Sequence, residues 1–195
     1  LVNLARRAIT EYLERKREIE PPSDAPSHLN EKCGVFVTLH LLSAGGRSLR
    51  GCIGFPEPVK PLLGAVVDAA ISAAVRDPRF QPLTKGEFED IEIEVSVLTP
   101  PENIKVHKPQ QYPEMIEVGK DGLIVSCGQR RGLLLPQVPI EWDWDAEEFL
   151  TECCLKAWLP PDSWLNEGTR ISKFQAIIFE EKEPRGEVER KKISS

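Results

Sequence analysis

The feature that most constrains the fold is an order of elements, a hairpin followed by a helix and a strand. In the first half, apolar and polar residues alternate in CGVFVTLHLL, and the Gly-bearing turn SAGGRS predicts that LRGCI returns antiparallel to it. The stretch Leu62–Val75 is apolar nearly all round, which predicts a buried helix. IEIEVSVL alternates again and predicts a half-buried strand with its glutamates on a solvated face.

The same order occurs in the second half of the chain. GLIVSCGQRRGLLLPQ predicts two short strands around a Gly-Gln-Arg-Arg turn. The next helix begins after Asp145, and Glu148 completes a capping box with it. FQAIIF predicts the closing strand. We therefore predict an α+β protein of two related hairpin–helix–strand repeats, which form a mainly antiparallel sheet with helices packed on it, in two closely joined lobes.

The boundaries follow from composition. We expect one domain over residues 1–181, with lobes at about 1–98 and 115–181 and a Pro- and charge-rich linker over 99–114. An amphipathic helix is predicted over residues 2–19. The tail 182–195 has balanced charges and little to bury, so we expect it to be extended or disordered.

Charge and cysteine content narrow the class of protein. A net charge of −6 opposes a general affinity for nucleic acid, and no apolar run is long enough to span a membrane. The five cysteines lack paired C-x-x-C spacing and no secretory signal opens the chain, so we expect a reducing, cytoplasmic location. The three histidines have no second ligand at metal-binding spacing, and we expect neither a metal nor a cofactor.

The hexapeptide Leu49–Gly54 is the motif that bears on chemistry. Its glycines permit backbone conformations and close approaches that other residues do not allow. Arg50 and Cys52 alternate with Gly51, so in a strand they share a face, where the guanidinium favours thiolate over thiol. Two interpretations stay open, a reactive thiol and a small apolar residue packed under the neighbouring helix.

Five segments in this order, LRGCIGF, DPRF, IEVSVL, GLLLPQV and EWDWDAEEFL, make the chain resemble the AMMECR domain family, of the type called protein A of the AmmeMemoRadiSam system. The resemblance runs from about Leu4 to Glu181, and Leu49–Gly54 matches the family signature without departure. It implies an α+β fold with a third strand in each repeat, near Met115 to Val118 in the second. It implies no established activity, although prokaryotic members are linked with a Memo-type protein and a radical SAM protein.

Two functions from different classes remain. The first is a ligand- or partner-binding module that uses the Leu49–Gly54 loop. The alternative is an enzyme acting on a small anionic or nucleotide-like substrate, with Cys52 as thiol, Arg50 as anion clamp and Glu94 as acid or base. Whether the chain is an enzyme stays open. The residues expected to bind a ligand are Arg47, Gly51, Gly54, Arg130, Arg131, Gln137 and Glu141.

Two expectations, on the arginines of the hairpin turns and on the tryptophans, leave an alternative open. The arginines of the two hairpin turns, Arg47 with Arg50 and Arg130 with Arg131, form an anion site or stay solvated on the surface. Of the tryptophans, Trp144 and Trp158 are expected in the core, and Trp142 either joins them or lines a cleft.

Overall fold

The computed structural model describes residues 1–191, which form two compact units. Unit 1 comprises Leu1–Leu98 and Ile177–Lys191, and unit 2 comprises Thr99–Ala176. Each unit has its own hydrophobic core, in which helices pack against antiparallel strands. The predicted α+β class, with helices on antiparallel sheet, is confirmed.

Unit 1 is built from two helices and a set of antiparallel strands. These are α1 (Val2–Arg15), β1 (Gly34–Ser43), β2 (Gly46–Phe55), α2 (Leu62–Val75), β3 (Ile91–Leu98), the end of β7 (Arg170–Glu181) and β8 (Val188–Lys191). The strands lie in the order β2, β1, β3, β7, and β8 also pairs with β7. The predicted hairpin and the predicted bounds of α2 are confirmed, whereas α1 ends at Arg15 because Lys16 adopts the left-handed conformation.

The core of unit 1 follows the periodicities of its elements. Val35, Val37 and Leu39 point to one face of β1 and are completely buried, as alternate residues of a strand must share a face. The helix α2 packs on β1 and β2, and its alanines let it approach the strands closely. Helix α1 covers α2 with the stripe that its sequence period predicts.

The expectation of a half-buried β3 is wrong, because both of its faces are buried. Glu92 is 6% exposed and Glu94 is 4% exposed, so these glutamates are not solvated. Each has a cationic partner from another strand, Arg47 of β2 for Glu92 and Lys191 of β8 for Glu94. Burial of a carboxylate requires such a partner, and the partner of Glu94 lies far away in sequence.

Residues Val188–Lys191 of the charged tail are extended as expected, but they are also paired with β7. The charges of the tail explain the pairing, since Lys191 contacts both Glu94 and Glu180. The rest of the tail expectation, residues 192–195, lies outside the described residues.

Unit 2 has the same kinds of element. It contains β4 (Glu102–Asn103), β5 (Asp121–Cys127), β6 (Arg130–Leu134), α3 (Gln137–Glu141), α4 (Ala146–Lys156) and the start of β7. Strand β5 pairs with β6 and with β7, and β4 pairs with β7. The capping box at the start of α4 is confirmed, since the Asp145 carboxylate accepts from the amides of Glu147 and Glu148.

The third strand expected near Met115 to Val118 is not present. Pro113–Met115 form a single 3-10 turn, and no strand lies between Asn103 and Asp121. Tertiary structure explains the difference, because Ile116 is buried in the unit 2 core while the Ile116 amide closes the turn onto Pro113. The additional strand of unit 2 is β4, which pairs with β7 through Glu102 and Asn103.

One packing detail recurs in both units. A Cβ added to Gly51 of β2 would lie 2.2 Å from the Ala73 carbonyl oxygen of α2. A Cβ added to Gly132 of β6 would lie 2.6 Å from both the Ala157 nitrogen and the Cys153 oxygen at the end of α4. In each hairpin a glycine of the second strand thus lets a helix backbone touch the strand backbone. This parallel supports the predicted repeat, which stays a prediction until the two units are superposed.

Candidate functional site

The motif Leu49–Gly54 lies in β2, and a bulge interrupts its pairing with β1. Leu39 pairs with Gly51 and His40 pairs with Leu49, so Arg50 has no opposite residue on β1. A bulge re-aims the side chain of the extra residue. For this reason Arg50 and Cys52 have different neighbours, although simple alternation predicts that they share a face.

The Arg50 side chain is used to hold a distant segment of unit 1. Its Nε donates to Glu87 Oε1 at 2.5 Å and its Nη2 donates to the Gln81 carbonyl at 2.8 Å. The guanidinium also lies 5.6 Å from the Phe80 ring centre, and Arg50 is only 9% exposed. The hydrogen bond from Arg50 lowers the pKa of Glu87, against the effect of burial. Arg50 therefore ties β2 to the segment that precedes β3.

Cys52 is enclosed by groups that fix its backbone and its thiol. Its amide donates to Asp77 Oδ2 at 2.9 Å, its carbonyl accepts from Arg79 Nη2 at 3.3 Å, and Thr38 Oγ1 lies 3.3 Å from its sulfur. Burial raises the pKa of Cys52, and the Thr38 hydrogen bond and the Arg79 charge offset this only in part. The cation that acts on the thiol is thus Arg79 instead of Arg50, and the thiol is protonated at neutral pH.

The connector Asp77–Phe80 and the motif together form one structure, which we call the clamp. Asp77 is 4% exposed and receives hydrogen bonds from the Arg79 side chain, the Arg79 amide and the Cys52 amide. These bonds, the Arg79 side chain first, lower the pKa of Asp77 to about 2. The guanidinium groups of Arg50 and Arg79 lie 5.6 and 5.5 Å from the Phe80 ring centre. The segments Asp77–Phe80 and Leu49–Gly54 are therefore joined by hydrogen bonds and ring contacts into one local structure.

A second set of charges lies on β2, β3, β7 and β8 of unit 1. Lys191 Nζ contacts Glu94 at 2.9 Å and Glu180 at 3.0 Å, and Arg47 contacts Glu180 at 2.8 Å and Glu92 at 2.9 Å. Burial raises the pKa of Glu92 despite Arg47. Glu94 and Arg47 are therefore both engaged in ion pairs within unit 1.

His40 adjoins this set, since Arg47 Nη2 lies 3.0 Å from His40 Nδ1. Burial, followed by the charges of Arg47 and Lys191, lowers the pKa of His40 to about 4. The imidazole is consequently neutral at physiological pH. Its hydrogen bond is to Arg47, so the structure does not give Cys52 a hydrogen-bonded histidine base.

Unit 2 holds a pocket of about 350 Å³ that we call the arginine pocket. In the sheet register Ser126 of β5 lies opposite Arg131 of β6 on one side and opposite Arg170 of β7 on the other. Residues opposite each other in a ladder project to the same face, so two guanidinium groups flank one hydroxyl. The pocket is lined by Asn103, Ile124, Ser126, Gly128, Gln129, Arg130, Arg131, Arg170 and Ser172.

The three arginines of the pocket are held differently. Arg130 Nη1 donates to the Trp158 carbonyl at 2.7 Å, which leaves its other N–H groups for a ligand. Arg131 takes part in a further interaction of its own. Within residues 1–191, no hydrogen bond or ion pair engages the Arg170 side chain. Arg170 is therefore the cation most directly available to an anion.

Other predicted site residues lie elsewhere. Gly54 packs against β1, where an added Cβ would lie 2.3 Å from the Val35 oxygen. Gln137 and Glu141 are the ends of α3 and do not line the arginine pocket. Gln137 Oε1 is buried without a hydrogen-bond partner in the described chain, and Glu141 is exposed and has an interaction of its own.

The expectation that Trp158 lies in the core is wrong, since it is 85% exposed. The end of α4 explains this: Trp158 takes a left-handed conformation, with φ of 58°, that carries the chain away from the helix. Trp144 does pack partly against the unit 2 core, as predicted. Trp142 is 67% exposed and stacks on Trp144 with ring centres 6.1 Å apart.

Sequence reasoning missed four contributors to these sites. Arg79 and Lys191 were not singled out, because nothing local shows that a connector or a tail residue reaches Cys52 or Glu94. Arg170 was missed because its position opposite Ser126 depends on the pairing of β5 with a distant strand. Ser126 had a usable signal, since alternation in GLIVSC places it on the face opposite Leu123 and Val125.

The described chain also bears on metals, disulfides and membranes. All five cysteines are free. Within residues 1–191, no three His, Cys, Asp or Glu side chains are grouped so that they could hold a metal ion. Among the helices of that same range, none has the length and apolar character needed to cross a bilayer.

Comparison with known proteins identifies the family. The chain is 57% identical to Protein PH0010 of Pyrococcus horikoshii, over 99% of this chain and 94% of that protein, and 59% identical to Protein PF1979 of Pyrococcus furiosus, over 99% and 92%. The crystal structure of PH0010, titled as an uncharacterized protein, covers 98% of this chain and 94% of its own, with a TM-score of 0.92. The AMMECR1 family model matches residues 2–179. The chain therefore belongs to the AMMECR1 family.

Proposed function

We propose that this chain is a binding module, and that its unit 2 binds a small oxyanion, a phosphate or a carboxylate, in the arginine pocket. One observation carries the proposal. Three arginines line a pocket of about 350 Å³ together with two serines and an asparagine, and no aspartate or glutamate is among the lining residues that the structure describes. Guanidinium groups bind phosphate and carboxylate with paired, charge-assisted hydrogen bonds.

The contacts in the pocket support an anion as the ligand. Ser172 Oγ donates to Asn103 Oδ1 at 2.8 Å, so the Asn103 amide nitrogen stays available as a donor. Ser126 stands between Arg131 and Arg170 in the register, where its hydroxyl donates to the same ligand as the arginines. The chain as a whole has a net charge of −6, so this concentration of positive charge is local. A local positive site attracts small anions without giving a general affinity for nucleic acid.

Unit 1 supports a module more than an enzyme. An activated nucleophile requires a lowered pKa, whereas burial raises the pKa of Cys52. Arg50 and Glu94 are both held in ion pairs with other residues of unit 1. The enzyme with Cys52 as reactive thiol stays the alternative, and the alkylation experiment in the Discussion tests it.

The Leu49–Gly54 segment, which was expected as a loop and lies in strand β2, is proposed as a contact for a partner. Strand β2 is at the end of the strand order, and Leu49 is 42% exposed on it. An edge strand with an exposed apolar residue is a common surface for protein binding. A Memo-type protein and a radical SAM protein are the partners that the family resemblance suggests. A cytoplasmic location belongs to the same proposal and is supported by the five free cysteines.

The test is calorimetric titration with inorganic phosphate, pyrophosphate and citrate at low salt, which separates phosphate from carboxylate ligands. We expect Arg170→Ala to weaken binding by roughly 10- to 150-fold, the effect of losing about 1.5–3 kcal/mol of charged hydrogen bonds. Arg170→Lys keeps the charge but loses the paired geometry, so its affinity should lie between that of the unchanged chain and that of Arg170→Ala.

The matched control is Arg7→Ala, which removes the same charge from an exposed position of α1 in unit 1. It should bind all three anions as the unchanged chain does. An absence of binding heat in the unchanged chain, or equal losses in the Arg170 and Arg7 variants, would contradict the proposal.

A further inference from the structure

Trp158 occupies a position that helices usually give to glycine. It follows the last residue of α4 by two positions, and its amide donates to the Leu155 carbonyl at 2.9 Å. The next amide, of Leu159, donates to the Cys154 carbonyl at 3.0 Å. These two bonds define a Schellman motif, and Trp158 is its left-handed residue, with φ of 58°.

A tryptophan at this position is unfavourable for the folded chain. A large side chain is rarely found at positive φ, because its Cβ approaches the backbone closely. The usual compensation for such strain is burial of the side chain, but Trp158 is 85% exposed. Strained residues are concentrated at functional sites, so a strained residue with an exposed aromatic ring is a candidate for binding. The indole of Trp158 is therefore accessible to a ligand.

One side chain connects the arginine pocket to the backbone of this tryptophan. Arg130, which lines the pocket, donates from Nη1 to the Trp158 carbonyl at 2.7 Å. One residue thus joins the anion site to the residue that carries the exposed indole. Trp158 and the pocket both belong to unit 2, so this arrangement is a feature of one compact unit.

We infer that the ligand of the arginine pocket is a mononucleotide, whose phosphate binds the arginines and whose base stacks on Trp158. The inference rests on the proposed function, to which it adds the class of ligand. A nucleotide combines an oxyanion with a flat aromatic ring a short distance away. An exposed indole stacks with any base, so the platform discriminates a nucleotide from a simple sugar phosphate.

The experiment compares AMP, GMP and ribose 5-phosphate as ligands of the full chain by calorimetry. The unchanged chain should bind the nucleotides about 5- to 150-fold more tightly than ribose 5-phosphate, which is the ~1–3 kcal/mol of one base stack converted at 1.4 kcal/mol per tenfold. Trp158→Ala should remove this preference and leave ribose 5-phosphate binding unchanged. Trp158→Phe, which keeps an aromatic face, should retain part of it.

Two further variants distinguish stacking from a structural role. Trp158→Gly replaces a strained residue by the one that the left-handed position favours, so it should raise Tm while it removes the nucleotide preference. A structural tryptophan would lower Tm on the same change. Trp142→Ala, the control at the other highly exposed tryptophan, should leave the preference intact.

The outcomes separate this inference from the proposed function. If ribose 5-phosphate binds through Arg170 but nucleotides bind no better, or if Trp158→Ala and Trp142→Ala behave alike, the base platform is refuted and the anion site stands. If neither ribose 5-phosphate nor a nucleotide binds, both proposals fall. Nucleotide binding that survives Arg170→Ala but not Trp158→Ala would overturn the anion site.

Discussion

The substitution Gly51→Ala tests whether the motif glycine serves the fold. The new Cβ would lie 2.2 Å from the Ala73 carbonyl oxygen, whereas ordinary contact begins at 3.4 Å, so β2 and α2 must separate by about 1.2 Å. The atoms that the new Cβ would meet all belong to the Ala73 backbone, so no flexible side chain can move aside. Overpacking of a core costs about 1–3 kcal/mol and occasionally more. We expect a loss near the upper end, about 3 kcal/mol in the free energy of unfolding.

The matched control is Gly64→Ala, in the same helix that Gly51 contacts. A Cβ at Gly64 meets nothing within 4 Å, and the residue lies inside α2. Alanine is favoured over glycine in a helix by about 0.5–1 kcal/mol, so this variant should be more stable than the unchanged chain. The same substitution thus has opposite expected signs at two glycines of unit 1.

Thermal unfolding followed by circular dichroism, with urea titrations beside it, measures both variants. At about 2–4 °C per kcal/mol for a chain of this size, Gly51→Ala should lower Tm by roughly 6–12 °C and Gly64→Ala should raise it by about 1–4 °C. A Gly51 variant as stable as the unchanged chain would refute the close packing of β2 on α2. Ligand binding would then again be the explanation for Gly51.

Three further predictions concern unit 1. Asp77→Asn should lower the free energy of unfolding by on the order of 2 kcal/mol at neutral pH. Because the pKa of Asp77 is about 2 in the folded chain and 3.8 ordinarily, the stabilisation by the Asp77 carboxylate is complete above pH 3.8 and is lost as pH falls through 2. Urea titrations across this pH range contradict the clamp if the unchanged chain and the Asp77→Asn variant respond alike. Cys52 should react with iodoacetamide more slowly than a free thiol, with a pKa above the ordinary 9.0, as measured by mass spectrometry of tryptic peptides. Fast alkylation with a lowered pKa would favour the alternative in which Cys52 is the reactive thiol of an enzyme. Lys191→Met should cost about 1–3 kcal/mol by leaving Glu94 buried without its cation, whereas Arg190→Met, at an exposed neighbour, should have little effect in the same denaturation assay.

Local patterns predicted the elements well. The bounds of α2 follow from an apolar run that ends at Asp77-Pro78, and the capping box at Asp145 depends on residues three apart. Such signals are contained in a short window of sequence. The same holds for the β1–β2 hairpin, whose turn residues adjoin its strands.

The sites depend on pairings between distant residues, which no local pattern reveals. Glu94 has the alternation of a solvated strand residue, and only the pairing of β8 with β7 brings Lys191 to it. Arg170 joins the arginine pocket through the register of β5 with β7. Trp158 looks like a core residue of an amphipathic helix, but the helix ends two residues earlier, at Lys156, and the Trp158 side chain is exposed.

The motif shows how a correct pattern can still mislead about neighbours. Alternation places Arg50 and Cys52 on one face, but a bulge in the hairpin gives them separate environments. The cation beside Cys52 then comes from Arg79, in the DPRF segment, to which the sequence analysis assigned no site residue. The sequence identified the residues of the motif, but the contacts of Arg50 and Cys52 depend on the bulge at Arg50, which has no partner on β1.

The central claim is that unit 2 binds small oxyanions in the arginine pocket. Its most direct test is a phosphate titration of the isotopically labelled chain, followed by amide and arginine side-chain NMR signals. We predict that the shifts concentrate at Ser126, Arg131, Arg170 and Ser172, and that they are absent in Arg170→Ala and unchanged in Arg7→Ala. Shifts centred on Arg50 and Cys52, or no shifts at all, would contradict the account.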